Sequence, residues 1–451
     1  LIAIFMIFAC LLLTSGLGDL FIAAAQGIFG HMTGGPAKIA VITSGLFGMI
    51  SGSPVANVAA TGSFTIPLMK KIGYPPKVAA SVEAIASTGG ALMPPIMGIG
   101  AFLMAEILRI PYLHICVVAL IPAFFWYFTI FLFVHFTALR ERVQKWKPPM
   151  DEVKKIIKGT WHLSLAIVGL IGGLLYFAQP EAGAFWAVVA LIALTFFSRR
   201  TRLTRAKIGD FLYTFARSWM PLFIMIECLG VFVGALLGTG LHMKLGTLIL
   251  GGIEQWYLVL LVTFLLSVAL GMAVPLSPTY LAVAAIAAPT ILMAFDYVPV
   301  QLHMFIFYCA VLAPLTPPVC MASYVAASIA GTPTMSTGWL TTVRSLVLWI
   351  IPFTILHKSL FLAEGTPLAD LGLGCATLAL GIFIFVLGIS GFFLRDLRLF
   401  ERVLAMAIGI LIVQPISPII SNAFCFAGLA LIIFWILPRV FKRKQFPILH
   451  E

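Results

Sequence analysis

Ser51, Ser53 and Asn57 crowd into one short run, Ser51-Gly52-Ser53-Pro54-Val55-Ala56-Asn57, in the middle of a long apolar stretch. Two hydroxyls and an amide oxygen, beside backbone carbonyls that Pro54 leaves unpartnered, form a donor set for a hard cation such as sodium. The amide nitrogen of Asn57 adds a donor for an anion. Asparagine is rare in this chain, and the only other one is Asn422. A second broken apolar stretch follows at Gly271-Met272-Ala273-Val274-Pro275-Leu276-Ser277-Pro278-Thr279. Each is trailed by a Pro-Pro pair, in Gly89-Gly90-Ala91-Leu92-Met93-Pro94-Pro95 and in Leu315-Thr316-Pro317-Pro318. Ser53-Pro54 matches Ser277-Pro278 at an offset of 224 residues, and Pro94-Pro95 matches Pro317-Pro318 at 223. Ser15-Gly16-Leu17 matches Thr239-Gly240-Leu241, again at 224. Thr316 is the counterpart expected for Asn57, with Ser277 and Thr279 opposite it, while Thr61, Ser63 and Thr65 follow on the outgoing arm of the first cluster. Freed carbonyls and hydroxyls suit a cation, and half-helix N-termini suit a substrate carboxylate. A proline that merely kinks a packed helix is the plainer reading of any one break. Two matched pairs beside Ser, Thr and Gly favour transport.

The elements that must position these residues are membrane helices. Hydrophobic residues make up 61% of the chain and charged residues 10%, and apolar runs recur along its whole length, which excludes a soluble domain. The formal charge of +12 resides in short loops, where it orients a membrane protein, and does not form a face for nucleic acid. The seven cysteines lie singly in apolar surroundings with no Cys-x-x-Cys pair, so they suit packing better than metal binding or a disulfide framework. No Gly-x-x-x-x-Gly-Lys loop is present, which argues against nucleotide binding, and the carboxylate pairs or His-Glu-x-x-His helix of an intramembrane enzyme are missing.

Spans are expected over roughly 1–17, 78–109, 112–137, 161–178, 180–198, 219–239, 300–331, 343–362, 371–394, 403–416 and 419–437. The segments 78–109 and 300–331 are each interrupted near the centre. Residues 39–50 and 54–69 are short for a core of about 30 Å and read as the arms of a re-entrant hairpin. Residues 256–274 and 279–294 make a second hairpin, and 138–160 and 200–217 are basic linkers suited to the membrane surface. With the Lys70–Lys71 loop in the cytoplasm, 25 of the 28 Lys and Arg residues fall on that side, as does the C-terminus. Five crossings then separate the two repeats. An odd number inverts them, so the hairpin tips are expected to meet near the midplane. The fold expected is an all-α polytopic membrane protein of two inverted repeats, each with a re-entrant hairpin and a broken helix. Its parts are a first scaffold helix and interfacial segment (1–30), transport half one (31–110), scaffold helices and cytoplasmic linkers (111–241), transport half two (242–335) and C-terminal scaffold helices (336–451).

Ionisable residues inside spans are functional candidates by default. Glu83 and His303 precede their Pro-Pro pairs by 11 and 14 residues, and Glu106 and Glu227 also lie in spans. A proton or charge relay through Glu83 and His303 is one reading, and for each of these residues snorkelling or a helix–helix hydrogen bond is the other.

The run from Ser51 to Asn57 and Gly62-Ser63-Phe64-Thr65-Ile66-Pro67-Leu68-Met69-Lys70 resemble the large membrane subunit of tripartite ATP-independent periplasmic (TRAP) transporters. Glu83-Ala84-Ile85-Ala86-Ser87-Thr88-Gly89-Gly90, Met93-Pro94-Pro95-Ile96-Met97-Gly98 and Thr316-Pro317-Pro318-Val319 extend the match over roughly residues 1–360. Their wording is most similar to the TAXI branch, in which small and large membrane subunits are fused. The resemblance implies sodium-driven uptake, a periplasmic TAXI-type substrate-binding protein and an elevator motion in a bacterial or archaeal inner membrane. It also implies a small-subunit region and a first large-subunit helix upstream of Leu1. Carried over residue by residue, it places one sodium on Ser51, Ser53, Asn57 and Gly90 and a second on Gly271, Ser277 and Thr316. The substrate is then expected between the tips, against Ser53, Asn57, Thr61, Pro94, Ser277, Thr279 and Thr316. Pro54 replaces the small polar residue common at its place, and Pro275 enters the second hairpin. The function expected is sodium-coupled, binding-protein-dependent import of a small organic anion. The rival is a stand-alone transporter of the divalent-anion class, coupled to sodium or protons.

Overall fold

A computed structural model describes residues 2–177, 180–250, 253–356, 367–413, 424–433 and 435. The chain is helical almost throughout, because in lipid each backbone polar group must find a partner within its own segment. Helices α1 (Ile2–Thr14) and α2 (Leu17–Phe29) meet at a 63° bend. Gly16 makes that corner at φ 107°, a conformation that suits glycine.

Helices α3 (Gly35–Ser51) and α4 (Pro54–Lys71) form the first hairpin, whose turn is only Gly52 and Ser53. Gly52 ends α3 at φ 62°, the Ser53 hydroxyl accepts from the Ala56 amide at 3.4 Å, and Pro54 takes the first helical position. Helix α5 (Pro76–Gly89) tightens into a 3-10 turn at Gly90–Leu92, breaks over 93–98 and resumes as α6 (Ile99–Leu108). The chain then runs through α7 (Tyr112–Arg140), α8 (Met150–Thr160), a 3-10 turn (Trp161–Leu163), α9 (Ser164–Tyr176), α10 (Pro180–Thr195), α11 (Arg205–Gly238) and α12 (Leu241–Leu250).

The order of the first set of elements then recurs. Helices α13 (Trp256–Ala273) and α14 (Leu276–Ala294) form a hairpin through Val274 and Pro275. Helix α15 (Pro299–Val311) tightens into a 3-10 turn at Ala313–Leu315, breaks over 316–320 and resumes as α16 (Met321–Ala330). Helices α17 (Thr334–Ser345), α18 (Ile351–Ile355), α19 (Leu368–Ser390) and α20 (Leu399–Val413) follow. A two-stranded ribbon, Phe392–Phe393 with Arg395–Asp396, joins the last two.

The two sets interlock. Helix α6 packs on α14 and α15, and α16 packs on α4 and α5. Every residue from Val78 to Gly89 in α5 and from Val300 to Val311 in α15 is buried. The two breaks therefore continue helices wrapped on all sides by protein, where irregular backbone is tolerated at membrane depth.

Among the described residues, six helices are long and apolar enough to cross a membrane, or seven with the bent α1–α2 pair counted as one span. Several expected boundaries move. The basic stretch from Arg205 onward and most of the expected span 219–239 are one helix, α11, of 34 residues, because the charges that mark the linker do not interrupt helical hydrogen bonding. The other basic linker does hold an amphipathic helix, α8, which buries Val153, packs on α2, exposes Lys154, Lys155 and Lys158, and runs on through the 3-10 turn into α9. The first hairpin's arms are longer than 39–50 and 54–69, since the Gly34–Gly35–Pro36 start nucleates α3 four residues earlier. Both arms of the second hairpin meet the span criterion by length and composition. The helical segment beginning the expected 343–362 span starts at Thr334, and residues 357–362, 414–416 and 419–423 lie outside the described residues.

Candidate functional site

The first hairpin and the first broken helix touch through glycine. A Cβ on Gly48 would lie 2.5 Å from Gly90 Cα and 2.7 Å from Asn57 Nδ2, and a Cβ on Gly90 would overlap Gly48. At the tip, a Cβ on Gly52 would lie 3.2 Å from Gly98 Cα and 3.3 Å from the Met97 carbonyl oxygen. Glycine at these crossings lets the hairpin tip rest directly on the break.

Asn57, 1% exposed, sits one turn into α4. Its Nδ2 donates to the carbonyls of Ser44 (2.7 Å) and Ser87 (3.3 Å), which fixes the amide's orientation. Its Oδ1 is buried with no hydrogen-bond partner among the described residues, and so is Ser51 Oγ. Two orphaned oxygens on one hairpin tip are costly unless something binds them. Their chemistry fits a cation. Ser53 is exposed and acts as the α4 cap, and Pro94 is half-buried in the break.

Beside Asn57 lies a buried carboxyl. Glu83 is 0% exposed and accepts from Thr61 Oγ1 (2.5 Å), Thr65 Oγ1 (2.6 Å), Ser44 Oγ (2.8 Å) and Ser87 Oγ (3.0 Å). These hydroxyls come from α3, α4 and α5, so a single carboxyl ties the hairpin to the broken helix. Thr61, expected to face substrate, is committed to Glu83 and to the Asn57 carbonyl (2.8 Å).

Helix α7 braces the break. The Tyr127 hydroxyl donates to the Ala86 carbonyl (2.9 Å), which the change to 3-10 geometry frees, since the Gly90 amide now bonds to Ser87. Trp126 Nε1 donates to the Ile85 carbonyl (3.3 Å). The Tyr112 hydroxyl lies 2.9 Å from the Pro95 carbonyl and 2.5 Å from that of Ile96. Sequence reasoning missed all three aromatics. Their only signal was a polar atom within an apolar span, and nothing in their spacing said which carbonyls they would reach.

The second hairpin repeats the theme with different residues. A Cβ on Gly271 would lie 2.6 Å from Ala313 Cβ and 3.4 Å from both the Ala310 carbonyl oxygen and Thr279 Cγ2. Gly48 and Gly90 thus correspond to Gly271 and Ala313, each at an offset of 223. The Ser53-Pro54 to Ser277-Pro278 match at 224 does not set the structural register. Pro275, not Ser277, caps α14, so the caps Ser53 and Pro275 and the internal prolines Pro67 and Pro289 align at 222. Ser277 and Thr279 therefore lie inside the first turns of α14 rather than in an unwound segment before residue 279. In this register Thr279, also 1% exposed, occupies the helix position of Asn57, a place expected for Thr316. Thr279 Oγ1 lies 3.0 Å from the carbonyls of Val274 and Pro275. Thr316 Oγ1 donates to the Leu312 carbonyl (2.9 Å) at the edge of the second break. Each hydroxyl uses its proton this way and keeps lone pairs for a cation.

His303 does not join Glu83. Its Nδ1 lies 2.8 Å from the Tyr280 hydroxyl, and no hydrogen-bonded chain among the described residues connects the two. Tyr280→Phe removes one buried hydrogen bond in the second half and leaves the first half intact. The expected cost is about 1–3 kcal/mol of stability, measured as a lower melting temperature.

The geometry defines a class: a helical, multi-span membrane protein with buried polar side chains along two broken helices and two hairpins. Residues 1–362 match the family described as the tripartite ATP-independent periplasmic transporter, DctM component. The chain belongs to that family: it is a transporter permease of the inner membrane, not an enzyme, and its family works with a periplasmic substrate-binding protein. Among curated relatives, the C4-dicarboxylate TRAP transporter large permease of Pseudomonas aeruginosa is 27% identical over 82% of this chain and 85% of its own length. The 2,3-diketo-L-gulonate TRAP transporter large permease of Escherichia coli is 26% identical over 67% of this chain and 71% of its own length.

Proposed function

We propose that the chain is the permease of a sodium-coupled, binding-protein-dependent importer of small organic anions, and that it works as an elevator. The observation carrying this reading is the pair of orphaned buried oxygens, Asn57 Oδ1 and Ser51 Oγ, on a hairpin tip pressed against a helix break. A hard cation is the natural partner for such neutral oxygens, and sodium binding would order the tip for the substrate. The first sodium is assigned to Ser51, Asn57, Gly90 and the tip around Ser53. The second is assigned to Gly271, Ser277, Thr279 and Thr316. Two relatives named for carboxylates, a C4-dicarboxylate and diketogulonate, favour an organic anion as the cargo. Half-helix N-termini at the breaks would meet its carboxylate.

In this reading the halves are inverted in the membrane. The hairpins and broken helices, interlocked through α6 and α16, move as one body against the remaining helices. The motif wording from Ser51 to Asn57 and around Glu83 supports a TAXI-type binding protein as partner.

Uptake of radiolabelled dicarboxylates and amino-acid anions into proteoliposomes tests the proposal, with and without an inward sodium gradient and with and without the binding protein. Uptake is expected only when both are present. Uptake without the binding protein would favour a stand-alone transporter, and uptake on a proton gradient alone would remove the sodium sites.

A further inference from the structure

Among the described residues, Glu83 is a buried acid with no cationic partner beside it. Its carboxyl is fully buried, and all four of its hydrogen-bond donors are neutral hydroxyls. Among the described residues, no Lys, Arg or His lies within 4.0 Å of it, since the three ion pairs are Arg140–Asp396, Arg200–Asp19 and Arg395–Glu401. None of the cations on the neighbouring elements forms an ion pair with Glu83. Lys38 of α3 lies 3.4 Å from His135 Nδ1 of α7 and over the Phe131 ring, and Arg344 of α17 lies over the Phe133 ring. Lys70 of α4 donates to the Ala330 carbonyl, and Lys77 of α5 donates to Ser336. Tyr127 of α7 gives its proton to Ala86, and Tyr324 of α16 gives its proton to Pro318. A carboxyl buried at membrane depth either keeps its proton or needs a partner charge.

The route to that partner passes through two serines. Ser44 and Ser87 give their hydroxyls to Glu83 and their carbonyls to the Asn57 amide. Glu83 therefore lies one serine layer behind Asn57, whose Nδ2 is held on that layer and whose Oδ1, like Ser51 Oγ on the same hairpin, is buried without a hydrogen-bond partner among the described residues. We propose that Glu83 is the counter-charge of a cation bound at the first hairpin tip, setting the affinity of that site while touching no ion itself. Among the described residues the second half has no carboxyl at the corresponding place: the residue 223 positions on is Ile306, and the Ser267 hydroxyl, at the position of Ser44, donates to the Thr263 carbonyl. The two cation sites are thereby made unequal, with the first the tighter. This deepens the sodium reading given above and rests on it.

The test is sodium binding to the purified full chain, read as sodium-dependent thermal stabilisation with choline as the replacement ion. Glu83→Gln keeps the shape and most hydrogen bonds but removes the charge. It should weaken sodium binding by about tenfold or more, the size of effect an adjacent opposite charge has on an ionic equilibrium. Glu83→Asp retains the charge on a shorter arm and should bind sodium more tightly than the glutamine variant. It also keeps the test decisive if Glu83→Gln is unstable, because a folded aspartate variant without sodium dependence would overturn the proposal. Wild-type affinity in Glu83→Gln would overturn it too, leaving Glu83 a neutral clamp between hairpin and broken helix. A wild-type chain with no sodium response would instead overturn the sodium reading itself.

Discussion

Gly48→Val is expected to abolish uptake in a protein that still reaches the membrane. Even a methyl group at this position would lie 2.5 Å from the Gly90 backbone and 2.7 Å from the Asn57 amide nitrogen. Neither neighbour is the free end of a flexible chain, so α3 must move away from the break. Overpacking of this kind costs about 1–3 kcal/mol, which a protein of this size survives while losing the close contact between tip and break. Uptake below about 1% of wild type, a loss of roughly 2.7 kcal/mol in activation terms, should accompany normal expression and a monodisperse profile in detergent. Gly172→Ala is the control, since no atom lies within 4 Å of the added methyl. It should transport normally. Normal uptake by Gly48→Val would mean that the hairpin tip does not need to rest on the break.

Asn57→Ala is the second large effect. The substitution removes the orphaned Oδ1 and also strips the carbonyls of Ser44 and Ser87 of a shared donor. Unsatisfied buried acceptors cost about 1–3 kcal/mol, so stability should fall modestly. The larger change should be in the sodium concentration that supports half-maximal uptake, raised by at least about tenfold, or roughly 1.4 kcal/mol. Sodium titration of uptake separates the two effects, because a purely structural role for Asn57 would lower the maximal rate and leave the sodium dependence unchanged. Asn57→Asp should differ from both, since it keeps the oxygen, loses the donor and puts a second carboxylate close to Glu83.

The positions of the breaks were legible in the sequence because proline and glycine act locally. Gly52, Ser53 and Pro54 end one helix and start the next by their own backbone preferences, and both Pro-Pro pairs fall inside the breaks that follow α5 and α15. Register across the repeat was not legible in the same way. Identity of two residues, Ser53-Pro54 and Ser277-Pro278, suggested 224, whereas the capping residue is set by where the preceding helix runs out, at Ala273. One extra proline, Pro275, moved the cap and with it the counterpart of Asn57. Glu83 stood out in the sequence as a charge inside an apolar run. Its partners did not, because Ser44, Thr61, Thr65 and Ser87 meet it only through tertiary packing of three helices. The aromatic braces Tyr112, Trp126 and Tyr127 were hidden for the same reason. The join between 200–217 and 219–239 was obscured by charge, which marks a polar surface but does not interrupt a helix.

Everything proposed for transport depends on two halves that face opposite sides of the membrane. Labelling of single cysteines in a Cys-free background, with a membrane-impermeant maleimide applied to right-side-out cells, tests this most directly. The two sites are Lys71→Cys, at the end of α4, and Asp296→Cys, in the corresponding loop after α14, both exposed. Labelling at 296 is expected from outside, and labelling at 71 only after the membrane is permeabilised. Equal labelling of both from the same side would contradict the opposed orientation of the halves.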